Sequence, residues 1–211
     1  MKLVLASNNA KKLVELRALF EGLPVELVGQ SSLGIDEADE PHVTFLENAL
    51  AKARHAARAS GMAAIADDSG LVVDALGGAP GVISAHWAPM PEMPPDADRE
   101  ARRRAQDAAN NALLLQRLQG EARRSAAFVS TIVALRHADD PEPLVAVGRW
   151  AALILQAPSG SGGFGYDPLV HIESLGRSVA DLDAATKNTH SHRALAAARM
   201  RELMNASWFA G

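Results

Sequence analysis

The sequence predicts an α/β fold on three observations. It opens as strand–helix–strand, later apolar strands alternate with helical stretches, and polar or glycine-rich segments join them. Lys2 to Ala6 is a short apolar run suited to a buried strand, and Leu13, Leu16 and Phe20 then recur at helical spacing. Gly22-Leu23-Pro24 ends that helix, and Val25 to Val28 reads as a second strand. Gln30 to Val43 is a polar, acidic loop carrying Asp36, Glu37, Asp39 and Glu40. Thr44 is a suitable N-cap for a helix over 45–60, and Gly61 stops it. Leu46, Leu50, Ala53 and Ala57 predict the buried face of that helix, which sets Asn48 and Lys52 on the opposite side. Met62 to Ala66 is another strand, expected to end at Asp67-Asp68-Ser69-Gly70.

The proline- and acid-rich stretch Ala88 to Asp98 predicts a surface loop, followed by a long helix over 99–118. Ala101, Ala105, Ala108, Ala112 and Leu115 mark one side of it. Ala126 to Arg136 and Leu144 to Leu155 read as strands joined by His137 to Pro143. A glycine-rich loop covers 160–167. The last helix begins after Ser191, with Ala196, Met200 and Leu203 inward.

Composition narrows the function. The 211 residues suit one domain or two lobes, and 48% hydrophobic with 22% charged residues is the balance of a globular protein. No apolar run approaches the ~20 residues of a bilayer span, so no membrane role is expected. Without cysteine, disulfides and thiolate–metal sites are excluded, and a cytoplasmic location is expected. A net charge of −4 gives no general attraction for nucleic acid. Phosphate must be held by local groups, which favours a small phosphorylated substrate.

Five constellations could carry chemistry. Ser7-Asn8-Asn9-Ala10-Lys11-Lys12 sits between a strand and a helix, where amides and lysines can hold a polyphosphate. A plain turn capped by Asn9 remains the alternative. Asp67-Asp68-Ser69-Gly70 offers two carboxylates that point to opposite sides of a strand. One of them could bind Mg²⁺ or position water, and an Asx-type turn is the bland reading. The acids Glu37, Asp39 and Glu40 could supply a second carboxylate or form a solvated loop. In Gly163-Phe164-Gly165-Tyr166-Asp167-Pro168, glycines allow close backbone approach and an aromatic ring offers a stacking face, unless both aromatics are core. Lys187 with Ser191-His192-Arg193 clusters donors near a helix start, or is simply solvated.

In this order the motifs resemble the inosine triphosphate pyrophosphatase family, also called the dITP/XTP pyrophosphatases. The matching residues are Ser7, Asn9 and Lys12; Thr44 to Ala49 with Lys52; Ala66 to Leu71; Leu76 to Gly81; Gly163 to Pro168; and Lys187 with Ser191-His192-Arg193. The resemblance covers almost the whole chain. It implies a mixed sheet flanked by helices, in two lobes with a central substrate cleft, in a single domain over 1–211 that is usually a homodimer. It implies Mg²⁺-dependent hydrolysis of ITP, dITP or XTP to the nucleoside monophosphate and pyrophosphate. Asp68 would be the catalytic carboxylate and, with Glu40, a metal ligand. Residues Ser7 to Lys12, Lys52 and Ser69 would hold the triphosphate. Phe164, Gly165, Tyr166, Asp167, Lys187, His192 and Arg193 would line the base and sugar pocket. The chain departs from the family pattern at His86 and Ala127, where arginines are usual, at Ala151-Ala152 and at Thr186. Rival readings are a nucleotide phosphatase or a pyrophosphatase for modified pyrimidines, a nucleotide-binding module without turnover, and a structural protein.

Overall fold

The computed structural model describes residues 1–210, and the side chains of Ala10 and Lys11 lie outside the described residues. The elements are β1 (Lys2–Leu5), α1 (Ala10–Leu19), β2 (Glu26–Gly29), α2 (Phe45–Ser60), β3 (Ala64–Val73) and α3 (Arg99–Arg117). They continue with β4 (Ser125–Leu135), β5 (Leu144–Ile154), β6 (Val170–Ile172), β7 (Arg177–Ser178), α4 (Ala184–His190) and α5 (His192–Ser207). The strands form one sheet in the order β2-β1-β3-β4-β5-β6-β7. It is mixed: β1 runs parallel to both β2 and β3, while β5–β6 and β6–β7 are antiparallel. Among the described residues no helix is long and apolar enough to cross a membrane.

The chain divides into two compact units. The first holds 1–69, 129–149 and the stretch from Lys187 onward; the second holds 70–128 and 150–186. The first unit shows why strand alternation matters. Leu3, Leu5, Ile65 and Ile132 point to one face and pack with Leu16 and Phe20 of α1 and Ala196, Met200 and Met204 of α5. Val4, Ala64, Ala66 and Val133 point to the other and pack with Ala49, Ala53, Ala56 and Ala57 of α2. Side chains in a strand alternate with period two, so each helix layer meets every second residue. The second unit has its own core, with Leu71, Val73, Leu114, Phe128, Trp150 and Leu169 among its members.

Helix α2 begins and ends where its caps predict. The Thr44 side chain accepts the Glu47 amide, and Gly61 closes the helix in the left-handed conformation. Its buried face is only partly the expected one: Ala53 and Ala57 are buried and Leu50 is half-buried as that face requires. Asn48 and Lys52 are buried together with Ala49 and Ala53, whereas Leu46 is exposed. Alanines occur on every side of this helix, so apolar spacing gave no sharp stripe, and polar contacts decided its rotation. Asn48 reaches back to the preceding loop, its side chain accepting the His42 amide and donating to the His42 carbonyl.

In helix α3 the alanine side is not the buried one: Ala108 and Ala112 are exposed, and the buried row is Gln106, Asn110 and Leu114, with Leu118 buried just past the helix end. The amides satisfy buried backbone: Asn110 accepts from Ala88 N at 2.8 Å, and Gln106 donates to Ala88 O at 2.8 Å. In α5 it is Met204 that is fully buried, with Leu203 only half-buried.

The largest correction concerns Asp67-Asp68-Ser69-Gly70, which lies inside β3 and not at its end. Gly70 takes no positive φ, and Leu71-Val72-Val73 continues the extended chain. Strands β6 and β7 and helix α4 were not anticipated, because each is too short to show a period.

One close approach fixes α5. A Cβ built on Gly148 of β5 would lie 1.9 Å from the His192 carbonyl oxygen and 2.5 Å from the Ala196 amide nitrogen, both backbone. Gly148→Ala must push the first turn of α5 off the sheet. The expected result is a melting temperature lower by about 5 °C or more, since overpacking costs roughly 1–3 kcal/mol. A thermal melt unchanged from the unaltered chain would show that α5 does not depend on this contact.

Candidate active site

Strand parity places the two carboxylates. Asp67 follows Ile65 by two, so it faces the layer of α1 and α5; Asp68 follows Ala66 and faces α2. The cations those helices carry then decide each environment.

Asp67 is buried and densely paired. Lys12 Nζ of α1 lies 2.9 Å from its Oδ2, and Arg193 Nε of α5 lies 3.2 Å from the same oxygen. Ser130 of β4 donates to Oδ1 at 2.5 Å, and Ser69 donates to Oδ2 at 3.2 Å. Burial alone would raise the Asp67 pKa, but Lys12, Arg193 and the Ser130 hydrogen bond outweigh it and hold the carboxyl well below the usual range. Arg193 is equally tied. Its Nη1 pairs with Glu15 at 2.6 Å and its Nη2 donates to Ser69 Oγ at 3.1 Å. Burial would lower its pKa, and the Asp67 and Glu15 carboxylates more than compensate.

Asp68 has a different environment. Lys52 Nζ bridges Asp68 Oδ1 at 2.9 Å and Glu40 Oε2 at 3.0 Å. The second oxygen, Asp68 Oδ2, is buried and has no hydrogen-bond partner. Burial raises the Asp68 pKa; Lys52 opposes this, Glu40 adds to it, and the result is upward. For Glu40 burial also pushes upward, but the charge and hydrogen bond of Lys52 hold the group down. Of the three acids singled out in the loop, Glu40 is the one paired with Lys52.

The turn after β1 is ordered by its own side chains. The Asn9 amide donates to Ser7 Oγ at 3.2 Å, and Asn9 Oδ1 accepts the Lys12 amide at 3.2 Å. Asn8 Oδ1 accepts from the buried Gln30 at 3.2 Å. Ala10 and Lys11 open α1, and their side chains are outside the described residues. At the start of α5, Ser191 caps the helix by accepting the Ala194 amide. Burial, then the charge of Arg193, pushes His192 down to about 3, which makes it a neutral imidazole. Lys187 lies half-buried in α4.

The glycine-rich loop belongs to the second unit. Tyr166 is core, donating to the Ser84 carbonyl at 2.9 Å, and burial raises its pKa. Phe164 is 41% exposed. Asp167 ties the loop by accepting the Phe164 amide at 3.2 Å. A Cβ on Gly163, which has φ +77°, would stand 2.2 Å from Asp167 Oδ2, so this position requires glycine.

Ser7 to Lys12, Glu40, Lys52, Asp68, Ser69, Lys187, His192 and Arg193 thus all fall in the first unit, and Phe164 to Asp167 in the second. Sequence reasoning set Asp67 and Asp68 on opposite sides by parity but missed Ser130, Glu15 and Gln30 as partners. Nothing local marked those three.

A family model described as the Ham1 family matches residues 3–203. A protein of Methylibium petroleiphilum named dITP/XTP pyrophosphatase is 69% identical over 210 residues, covering 100% of both chains. One of the same name from Leptothrix cholodnii is 65% identical, covering 99% of each. Among solved structures, a HAM1 protein from Coxiella burnetii matches with TM-score 0.86 at 36% identity, over 98% of this chain and 100% of that one. With a full-length match in sequence and in fold, the chain belongs to the Ham1 family.

Proposed function

We propose that this chain is a nucleoside-triphosphate pyrophosphatase. It cleaves ITP, dITP or XTP between the α and β phosphates, giving the nucleoside monophosphate and pyrophosphate, with Mg²⁺, as a homodimer in the cytoplasm. The names of its full-length relatives support the reaction class. The observation that carries it is the buried, unpartnered Asp68 Oδ2 beside the Lys52–Glu40 pair.

A buried oxygen left without a partner costs roughly 1–3 kcal/mol, so the site is suited to a ligand there. Mg²⁺ prefers oxygen, and when it bridges phosphates it takes one or two carboxylates. Among the described residues no group of three or more His, Cys, Asp or Glu converges, while Glu40 and Asp68 share one ammonium. These residues fit. Glu40 and Asp68 would hold the ion, which when bound neutralises charge on the phosphate oxygens.

Asp68 orients the attacking water in line with the leaving pyrophosphate and takes its proton. Lys12 and Lys52 supply positive charge to the triphosphate, joined by Ser69 and the Ser7–Lys11 turn. Asp67 keeps Lys12 in place. The base and sugar are assigned to Phe164, Gly165, Tyr166, Asp167, Lys187, His192 and Arg193. A donor aimed at the 6-oxo group of hypoxanthine would face the amino group of adenine and lose its partner.

The test is product analysis with ITP, dITP, XTP, GTP and ATP, with Mg²⁺ and with EDTA. Pyrophosphate should appear from ITP, dITP and XTP, with kcat/KM at least roughly tenfold above ATP. EDTA should abolish it. Orthophosphate as the first product would overturn the reading.

A further inference from the structure

Helix α3 holds the glycine-rich loop through a second row of side chains, separate from its buried Gln106–Asn110–Leu114 row. Arg103, Asp107 and Asn111 recur every four residues, which places them on one side of the helix. Each engages the loop. Asp107 Oδ2 accepts the Gly165 amide at 3.0 Å, and Asn111 Nδ2 donates to the Gly165 carbonyl at 2.9 Å. Arg103 lies over the Phe164 ring, 5.7 Å from its centroid, and is itself held by Glu100 at 2.8 Å. Both polar groups of one peptide residue are therefore bound by the same helix. Gly165 has φ +60°, a left-handed backbone that glycine adopts freely and that these two side chains pair.

We propose that Arg103, Asp107 and Asn111 are positioning residues that set the Phe164–Tyr166 loop for the purine base. The inference rests on the assignment of that loop to the base. Asp107 and Asn111 fix the direction of the Gly165 peptide, and that direction fixes where the neighbouring Phe164 ring stands. The Arg103 guanidinium covers one face of the ring, while 41% of the residue stays accessible. Two hydrogen bonds and a cation–π contact thus replace the conformational freedom that a loop with glycines at 160, 162, 163 and 165 would otherwise keep. Preorganisation of this kind acts on substrate affinity more than on the chemical step.

The experiment compares the unaltered chain with Asp107→Ala, Asn111→Ala and Asp107→Asn in steady-state pyrophosphate release from ITP. Loss of one of these bonds should raise KM roughly tenfold with kcat within about twofold. Asparagine keeps an oxygen that can accept the Gly165 amide, so Asp107→Asn should return KM to within about twofold of the unaltered value. Amide exchange across 162–167 should speed up in Asp107→Ala and not in Asp107→Asn. An unchanged KM in both alanine variants overturns the proposal, as does an equal rise in Asp107→Asn and Asp107→Ala. A fall in kcat with KM unmoved overturns it too. If the unaltered chain releases no pyrophosphate from any purine triphosphate, the assignment of the reaction fails, and this inference fails with it.

Discussion

Asp68→Asn is expected to lower kcat for pyrophosphate release by roughly 10²–10⁴-fold, the range for loss of a general base. The substitution keeps the shape of the side chain and its place on the α2 face of β3. It removes the ability to take a proton and one anionic partner of Lys52. Lys52 still has Glu40 at 3.0 Å, so its charge stays paired. The fold should therefore persist, and KM for ITP should change far less than kcat. The measurement is a saturation series with ITP, paired with a thermal melt. Activity within threefold of the unaltered chain would mean that the carboxylate at 68 does not serve the chemistry.

Arg193→Met should give the largest loss of stability, roughly 3–5 kcal/mol, as expected when one partner of a buried ion pair is removed. The Arg193 side chain is 5% exposed and that of Asp67 is 1% exposed. Methionine would leave Glu15 and Ser69 without their guanidinium partner and Asp67 with Lys12 as its remaining cation. Chemical denaturation at pH 7 reads this directly, and a loss below about 1 kcal/mol would refute it. The pH dependence has a definite sign. The Asp67 pKa is depressed in the folded state, so its contribution is present in full above the unfolded value of about 3.9. That contribution is lost as pH falls toward the depressed folded value. The unaltered chain should lose it below about pH 4, and Arg193→Met, having already lost much of it, should show a shallower acid limb there.

Legibility tracked how local each cause was. The ends of α2 were readable because Thr44 and Gly61 act on their own neighbours, through one side-chain bond and one left-handed backbone angle. Its rotation was not readable, since alanines surround it and the deciding contacts of Lys52 lie at Glu40 and Asp68, 12 and 16 residues away in sequence. The same holds in α3. Gln106 and Asn110 look like surface residues until the backbone at Ala88 comes within hydrogen-bond reach. The expectation that β3 ends at the acidic tetrad failed because Gly70 takes no positive φ and the apolar Leu71-Val72-Val73 carries the strand on.

By itself the sequence determined the α/β class, the order of the main elements, and the fact that residues 67 and 68 look to opposite sides of one strand. Alternation is a property of the extended backbone and needs no neighbour. Only the tertiary structure decided what each side meets. Helices α1 and α5 bring Lys12 and Arg193 to Asp67, and α2 brings Lys52 to Asp68. Burial raises the proton affinity of Asp68 past what Lys52 offsets, whereas Lys12 and Arg193, the latter 126 residues away in sequence, hold down that of the adjacent, chemically identical Asp67. The physical reason is that ionisation in a protein depends on burial and on charge within a few ångströms, and those distances exist only after the chain has packed.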